Sequence, residues 1–398
     1  MSPEQERDRD LGYPDLWLTS PEGKLMRVSN DAAMDWSPAW APDGRTLYFC
    51  SDRGGSMNIW RLTIDPGNGR VVENPMSITA PTRFVNGIDI ARNGAVLIFE
   101  ALEERWSVMR ADFDPEQGTT TSAPFPVLRS APPLGASINI SPDGEWVAFT
   151  SHGQQEDLFL IGIKGAGYRR VTEKVSPILR GPAWSPDGQR IAFYCNREPK
   201  NQLELWSIRP DGSGLHQLTK LGSTLWYPIW SPDGRALVAP DGRDVWVIDL
   251  SQPLNEAAAT KLPRLGSDRT FIPLSWSPDG LQLAGHALHF GGRQIEGIIL
   301  YTFGTKSYRQ VSTAGISPTW LNDSRRLIFT LTEEATYDNS AGRRNLHILD
   351  TQTGKSRLAA PETMTTSGWK NVSLSRDNRT IVFAEATREG DVWLMKLE

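Results

Sequence analysis

A short apolar–turn–apolar pattern recurs eight times along the 398 residues, and it limits the folds open to this chain more than any other feature. Four copies of Ser-Pro-Asp-Gly begin at Ser141, Ser185, Ser231 and Ser277; Ala-Pro-Asp-Gly at Ala41 is a near copy, and the stretches at Ala91, Leu321 and Ser375 are degenerate ones. Their third positions are Asp43, Asn93, Asp143, Asp187, Asp233, Asp279, Asp323 and Asp377, which number the first to eighth repeats and fall 44 to 54 residues apart. Three residues before each anchor stands a large apolar side chain: Trp40, Ile90, Ile140, Trp184, Trp230, Trp276, Trp320 and Leu374. Four residues after it stands another aliphatic one, and six after it Phe49, Phe99, Phe149, Phe193, Phe329 and Phe383 recur, with Ala239 and Gly285 in the other two repeats. That alternation is the period of a strand with one buried face. Pro-Asp-Gly between two such strands is turn chemistry, because proline presets φ, aspartate bonds its own backbone and glycine accepts positive φ.

Each repeat continues into a third strand, around Trp60, Trp106, Phe159, Trp206, Trp246, Ile299, His347 and Trp393, and then through a second hairpin to a short fourth strand such as that at His216. Four strands repeated eight times predict an all-β, eight-bladed β-propeller with four-stranded antiparallel blades. The stretch 15–30 reads as a third and a fourth strand. It is expected to close the ring by completing the last blade with residues 370–398, so that an exposed sheet edge is covered. Asp15–Leu18 duplicates the role of Asp391–Leu394 and is expected to pack outside that blade. Residues 1–14 read as a flexible segment and 15–398 as a single domain.

Composition agrees with that architecture. Gly 35 and Pro 28 leave little room for long helices, and the one helix-like stretch, Leu254–Leu262, reads as a decorated loop. A net charge of −5 argues against a nucleic-acid partner. No run of about 18 apolar residues is present to span a membrane, and the charged first ten residues carry no secretory signal. Cys50 and Cys195 fall in different repeats and read as small buried hydrophobes rather than a disulfide.

If the turns share one face of the blades, the loops that enter each innermost strand share the other. That face is expected to carry Trp36, Arg83, Arg180, Trp226, Tyr227, Arg269, Phe271 and Trp369 around a channel mouth, joined by His286 and His289 from one loop and His152 from another. Aromatic and arginine side chains converging there suit an anionic or peptidic ligand. The plainer alternative is that they plug the channel and pack between blades. The five histidines form no His-Glu-x-x-His or His-x-His pattern and no Cys-x-x-Cys pair accompanies them, so neither a metal nor another cofactor is expected. No Gly-x-Ser-x-Gly nucleophile elbow occurs, and Gly162–Gly167 falls in a hairpin rather than ahead of a helix, which removes it as a phosphate loop. Clustered imidazoles with a carboxylate would mark catalysis at the mouth; scattered ones would mark binding.

The repeat, best displayed by Gly181–Lys220 (GPAWSPDGQRIAFYC…LELWSIRPDGSGLHQLTK), resembles the TolB-type propeller repeat, a PD40, WD40-like pattern, over nearly the whole chain from Asp15. TolB itself has six blades and an N-terminal α/β domain, neither matched by this sequence. Ser141–Phe159 and Leu374–Met395 are similar to the sensor propeller of bacterial transmembrane serine/threonine kinases, although no kinase motif is present. These resemblances imply a non-catalytic, monomeric sensor or interaction module in an extracytoplasmic, periplasmic setting, binding a protein partner or a small or oligomeric ligand. A carbohydrate-active lyase or hydrolase with its site at the same mouth is the alternative.

Overall fold

The computed structural model describes residues 15–397 apart from 21, 30, 32, 55–57, 80–83, 132–133, 152–154, 198–201, 253–257, 290–294, 332–343, 362–363 and 367–371. Every regular element given a strand range among them is β, and the sheets are antiparallel. The contacts divide the chain into two compact units, residues 1–104 with 387–398 and residues 105–386, where the sequence alone suggested one domain.

The fourth repeat shows how the template folds. Its strands are Leu179–Trp184, Ile191–Cys195, Glu204–Ile208 and His216–Gln217, paired in that order. At the turn, the Ser185 hydroxyl donates to Asp187 Oδ1 at 2.5 Å and accepts from the Arg190 N–H at 2.9 Å, while the same carboxylate accepts from the Gln189 N–H at 3.0 Å. Gly188 takes the required positive φ of 70°. The same clasp recurs at Ser231–Asp233, Ser277–Asp279 and Ser375–Asp377. Phe193 and Leu179 are fully buried with Trp184 against Ala148, Leu158 and Leu160 of the third repeat, and each such side chain contributes about 1.5–3 kcal/mol by leaving water.

A second device holds the short outer strands. Asp157 Oδ1 accepts from the Thr172 hydroxyl at 2.9 Å, and the Thr172 oxygen accepts from the Leu158 N–H at 2.9 Å. Glu204 and Thr219 repeat this, as do Asn58 and Thr79 in the first repeat. A two-residue fourth strand therefore stays attached through side chains as well as through its ladder.

Within the larger unit, six sheets neighbour one another in cyclic order, and each seam carries a hydrogen bond. The Trp184 N–H donates to Asn139, Trp230 Nε1 to the Ala183 carbonyl, and the Thr270 hydroxyl to the Arg243 carbonyl. The Trp320 N–H donates to Ser275, Asn322 N–H to Asn378, and Ile140 N–H to Ser373 at 3.2 Å, which returns from the eighth repeat to the third. The larger unit is thus a β-propeller closed on its own six sheets.

The closing sheet is composite. Its inner strands come from the eighth repeat, Val372–Leu374 and the start of Thr380–Lys396; its outer strands are the end of Val96–Asp114 and Phe125–Ala131. The Phe113 N–H donates to the Arg379 carbonyl at 2.8 Å, and Ala111 and Phe113 are buried with Ile381 and Phe383. The Trp106 strand, expected as the third strand of the second repeat, therefore serves the eighth. The expected third strand of the eighth repeat serves the second: the Leu397 N–H donates to the Ala95 carbonyl at 3.0 Å, and Met395 and Leu397 pack with Leu97 and Val85. The reason lies in the chain itself. Val96–Asp114 runs for 19 residues without Gly, Pro or Asn, so nothing turns it back after Phe99.

The same arrangement reassigns the N-terminus. Trp17–Thr19 and Leu25–Arg27 pair with each other as a two-stranded hairpin, so the closing strands come from the second repeat and not from 15–30. Leu16 and Leu18 lie against Leu47, Phe49, Leu62 and Ile64 of the first repeat, and that apolar contact, with the Arg27–Asp15 ion pair at 2.6 Å, holds the hairpin where it is. The first repeat keeps four strands, of which the outermost, Val71–Ser77, is almost wholly exposed. Of the helix-like stretch, Ala259–Lys261 is a strand because it pairs with Trp246–Ile248; residues 253–257 lie outside the described residues. Cys50 and Cys195 are both free and buried, and burial pushes their thiols up to about 12 and about 11.

Candidate functional site

The strand ends opposite the Ser-Pro-Asp-Gly turns carry most of the side chains singled out from the sequence. Trp36 is half-buried in the smaller unit beside Tyr48 and Cys50. Arg180, Trp226, Tyr227, Arg269, Phe271, His286 and His289 belong to the larger unit. Arg83, His152 and Trp369 lie outside the described residues.

Arg180 opens the inner strand of the fourth repeat, and the strand pairing sets it beside Tyr194. Its Nη2 and Nε reach the Glu156 carboxylate at 2.6 and 2.8 Å, and Glu156 also accepts from the Leu179 N–H at 3.1 Å. Glu156 is fully buried. Burial alone would loosen the guanidinium's hold on its proton, but the carboxylate outweighs it and Arg180 stays charged beyond its ordinary range. The Tyr194 ring meets the Tyr227 ring edge-on at 5.7 Å, and burial lifts the Tyr194 phenol well above its usual pKa. Trp226 and Tyr227 pack on the same apolar cluster. Arg180 is therefore a fixed member of a buried pair; removing it strands a carboxylate, a loss of about 3–5 kcal/mol.

Two further ion clusters stand at this end. Asp244 receives Lys261 Nζ and Arg264 Nε, both at 2.6 Å, and Lys261 also lies 4.3 Å over the Trp246 ring. The Arg264 contact, ahead of Lys261, holds the Asp244 carboxyl down at about 2. In the sixth repeat, Glu296 accepts from Arg269 Nη1 at 2.5 Å and meets His289 Nε2 at 2.5 Å, with Asp268 3.7 Å from His289 Nδ1. His289 first and Arg269 second keep the Glu296 carboxyl below its usual range.

His286 and His289 share the strand Gln282–His289 three positions apart, which places them on opposite faces about 10 Å apart along it. His286 is fully buried; that burial first, and the charge of nearby Arg344 second, pull its imidazole down to about 3, so it is neutral at ordinary pH. Phe271 is buried too, its ring 5.3 Å from Tyr308. The two histidines do not converge. Among the described residues no group of three His, Cys, Asp or Glu side chains is arranged to hold a metal ion.

The sequence reading missed the acidic partners Glu156, Asp244 and Glu296. Their signal was available: an acid stands at or next to the start of the third strand in the third to sixth repeats. It also missed a cleft of about 840 Å³ between the fourth and fifth repeats, because a gap between sheets leaves no motif.

No family model matches the chain. An uncharacterised protein of Agrobacterium fabrum is 29% identical over 262 residues, covering 62% of this chain and 83% of that protein. Dipeptidyl-peptidase 5 of Porphyromonas endodontalis is 29% identical over 138 residues, 32% of this chain and 19% of the peptidase, so the chain spans about a fifth of that relative. Among solved structures, TolB from Acinetobacter baumannii is similar with a TM-score of 0.48 and 14% identity, over 85% of this chain and 79% of that one.

Proposed function

We propose that this protein is a non-catalytic binding propeller, a sensor or scaffold module of the TolB type, that captures an anionic or peptidic ligand or a protein partner at the strand ends opposite the turns. Arg269, His289, Trp226 and Tyr227 are the contact residues; Arg180 and His286 support them. The observation that carries this reading is the separation of the imidazoles: His286 is buried and neutral, while His289 is engaged with Glu296 on the other face of the strand. The carboxylates Asp244 and Glu296 are held ionised by cations, which suits recognition better than proton transfer. The extracytoplasmic setting and the kinase-sensor likeness belong to the same reading.

A carbohydrate-active lyase or hydrolase is the second reading, favoured by the 2.5 Å contact of His289 with Glu296. The peptidase-like relatives also suit an enzyme. The test titrates the protein with oligogalacturonate and with an acidic octapeptide, following tryptophan fluorescence for binding and chromatography for products. Saturable binding of either probe without turnover, weakened about tenfold by Arg269→Ala with His289→Ala, is the expected result. Turnover that disappears with His289→Ala would overturn it.

A further inference from the structure

The cleft of about 840 Å³ runs between the sheets of the fourth and fifth repeats, from their Ser-Pro-Asp-Gly turns to Thr219–Leu221, and its volume falls in the range of ligand sites. Its walls are the Ser185–Arg190 turn and the Pro232–Gly234 turn, its floor is apolar (Leu218, Leu221, Ile248, Leu250), and the half-buried Trp230 ring borders it. The Trp230 N–H is already spent on the Ala183 carbonyl, so the indole offers the cleft an apolar surface.

The charges around it are unevenly matched. Asp187 and Asp233 are bonded within their own turns, by Ser185 and Ser231, and each has a nearby arginine of its own repeat, Arg190 and Arg235. Asp249 is bonded by Ser251. Lys220 from the fourth repeat and Arg376 from the eighth also line the cleft, and neither side chain has an ion-pair partner among the described residues. His216 stands exposed at the rim. Two unmatched cations of long reach over an aliphatic floor call for an occupant that carries carboxylates and branched side chains together.

We propose that this cleft is a second binding site, distinct from the strand-end site, and that it takes an acidic peptide segment whose carboxylates meet Lys220 and Arg376 while its aliphatic side chains cover Leu218, Leu221 and Trp230. An extended peptide with alternating acidic and aliphatic residues presents both at the spacing of a strand.

The experiment measures fluorescence anisotropy of a fluorescein-labelled nonapeptide of alternating Glu and Leu, of its Lys–Leu counterpart, and of a single-stranded DNA 20-mer, against the full chain. Saturable binding of the Glu–Leu peptide is expected, with loss of at least tenfold in affinity in the variant Lys220→Glu with Arg376→Glu. Neither side chain has an ion-pair partner among the described residues, so that variant is expected to keep its melting temperature. Arg269→Ala with His289→Ala leaves this binding unchanged, which separates failure of this site from failure of the strand-end site. Equal binding by the charge-reversed variant, a preference for the Lys–Leu peptide, or tighter binding of the DNA would each overturn the proposal. Leu221→Asp gives an independent check, since it weakens the peptide only if the floor is covered.

Discussion

The fourth repeat and the second carry the same register, yet only the fourth keeps all its own strands. In the fourth, Asn and Pro residues follow Cys195 before the third strand returns at Glu204, and its second and third strands are buried throughout. In the second, the chain between Phe99 and Trp106 contains no turn residue, and one strand continues from Val96 to Asp114. Its third strand comes from the far end of the chain, and that segment leaves Val392, Trp393 and Leu394 exposed. An apolar register builds a hairpin; it takes a turn to decide which sheet receives the next strand.

Three pairs of substitutions press on this contrast. The largest effect is expected from Phe193→Ala, which opens a cavity in a fully buried position and costs about 3–5 kcal/mol. Phe99→Ala, at the matching but half-buried position of the second repeat, costs less than half of that. Chemical denaturation of the two variants measures both, and equal losses would erase the distinction between the repeats. Next, Trp106→Ala removes a side chain buried with Val108, Val382 and Ala384 and costs about 3 kcal/mol, whereas Trp393→Ala, about half exposed, costs under about 1 kcal/mol. If each repeat kept its own third strand, the two tryptophans would be equivalent and the losses would match.

The smallest effect concerns the turns. Asp187→Ala loses hydrogen bonds from Ser185 and Gln189 and costs about 1 kcal/mol; Asn93→Ala loses one from Ala95 and costs about half as much. The Ser185 hydroxyl, with the Gln189 N–H, holds the Asp187 carboxyl below its ordinary range. A depressed carboxyl contributes stability above its unfolded pKa, about 3.9, and loses it as pH falls through the lower folded value. The gap between the natural protein and Asp187→Ala should therefore narrow in strong acid, while the Asn93→Ala gap stays flat. Thermal melts at pH 7, 4 and 2 read this directly.

Much of the fold was legible because it is local. Trp184, Phe193 and the Ser185 turn can be placed from spacing alone, since strand period and turn chemistry act over a few residues. The exchange of third strands was partly legible, in the missing turn between Phe99 and Trp106. The pairing of Leu25–Arg27 with Trp17–Thr19 was not, because the same short strands would satisfy either sheet. At the site, Arg180 and Tyr227 could be assigned to the correct end of the blades, but not the depth of His286, which depends on what packs over it. The cleft beside Trp230 is a property of two sheets together and has no counterpart in any single stretch of sequence.

The composite closing sheet has a consequence for how the protein is made. Asn139 and Ser373, which share a hydrogen bond at that seam, stand 234 positions apart, and Phe113 waits for Arg379. A ribosome delivers the early partner long before the late one. The nascent propeller must therefore carry an open, strand-hungry flank through most of its synthesis, exposed to chaperones and to other unfinished chains until its last repeat emerges.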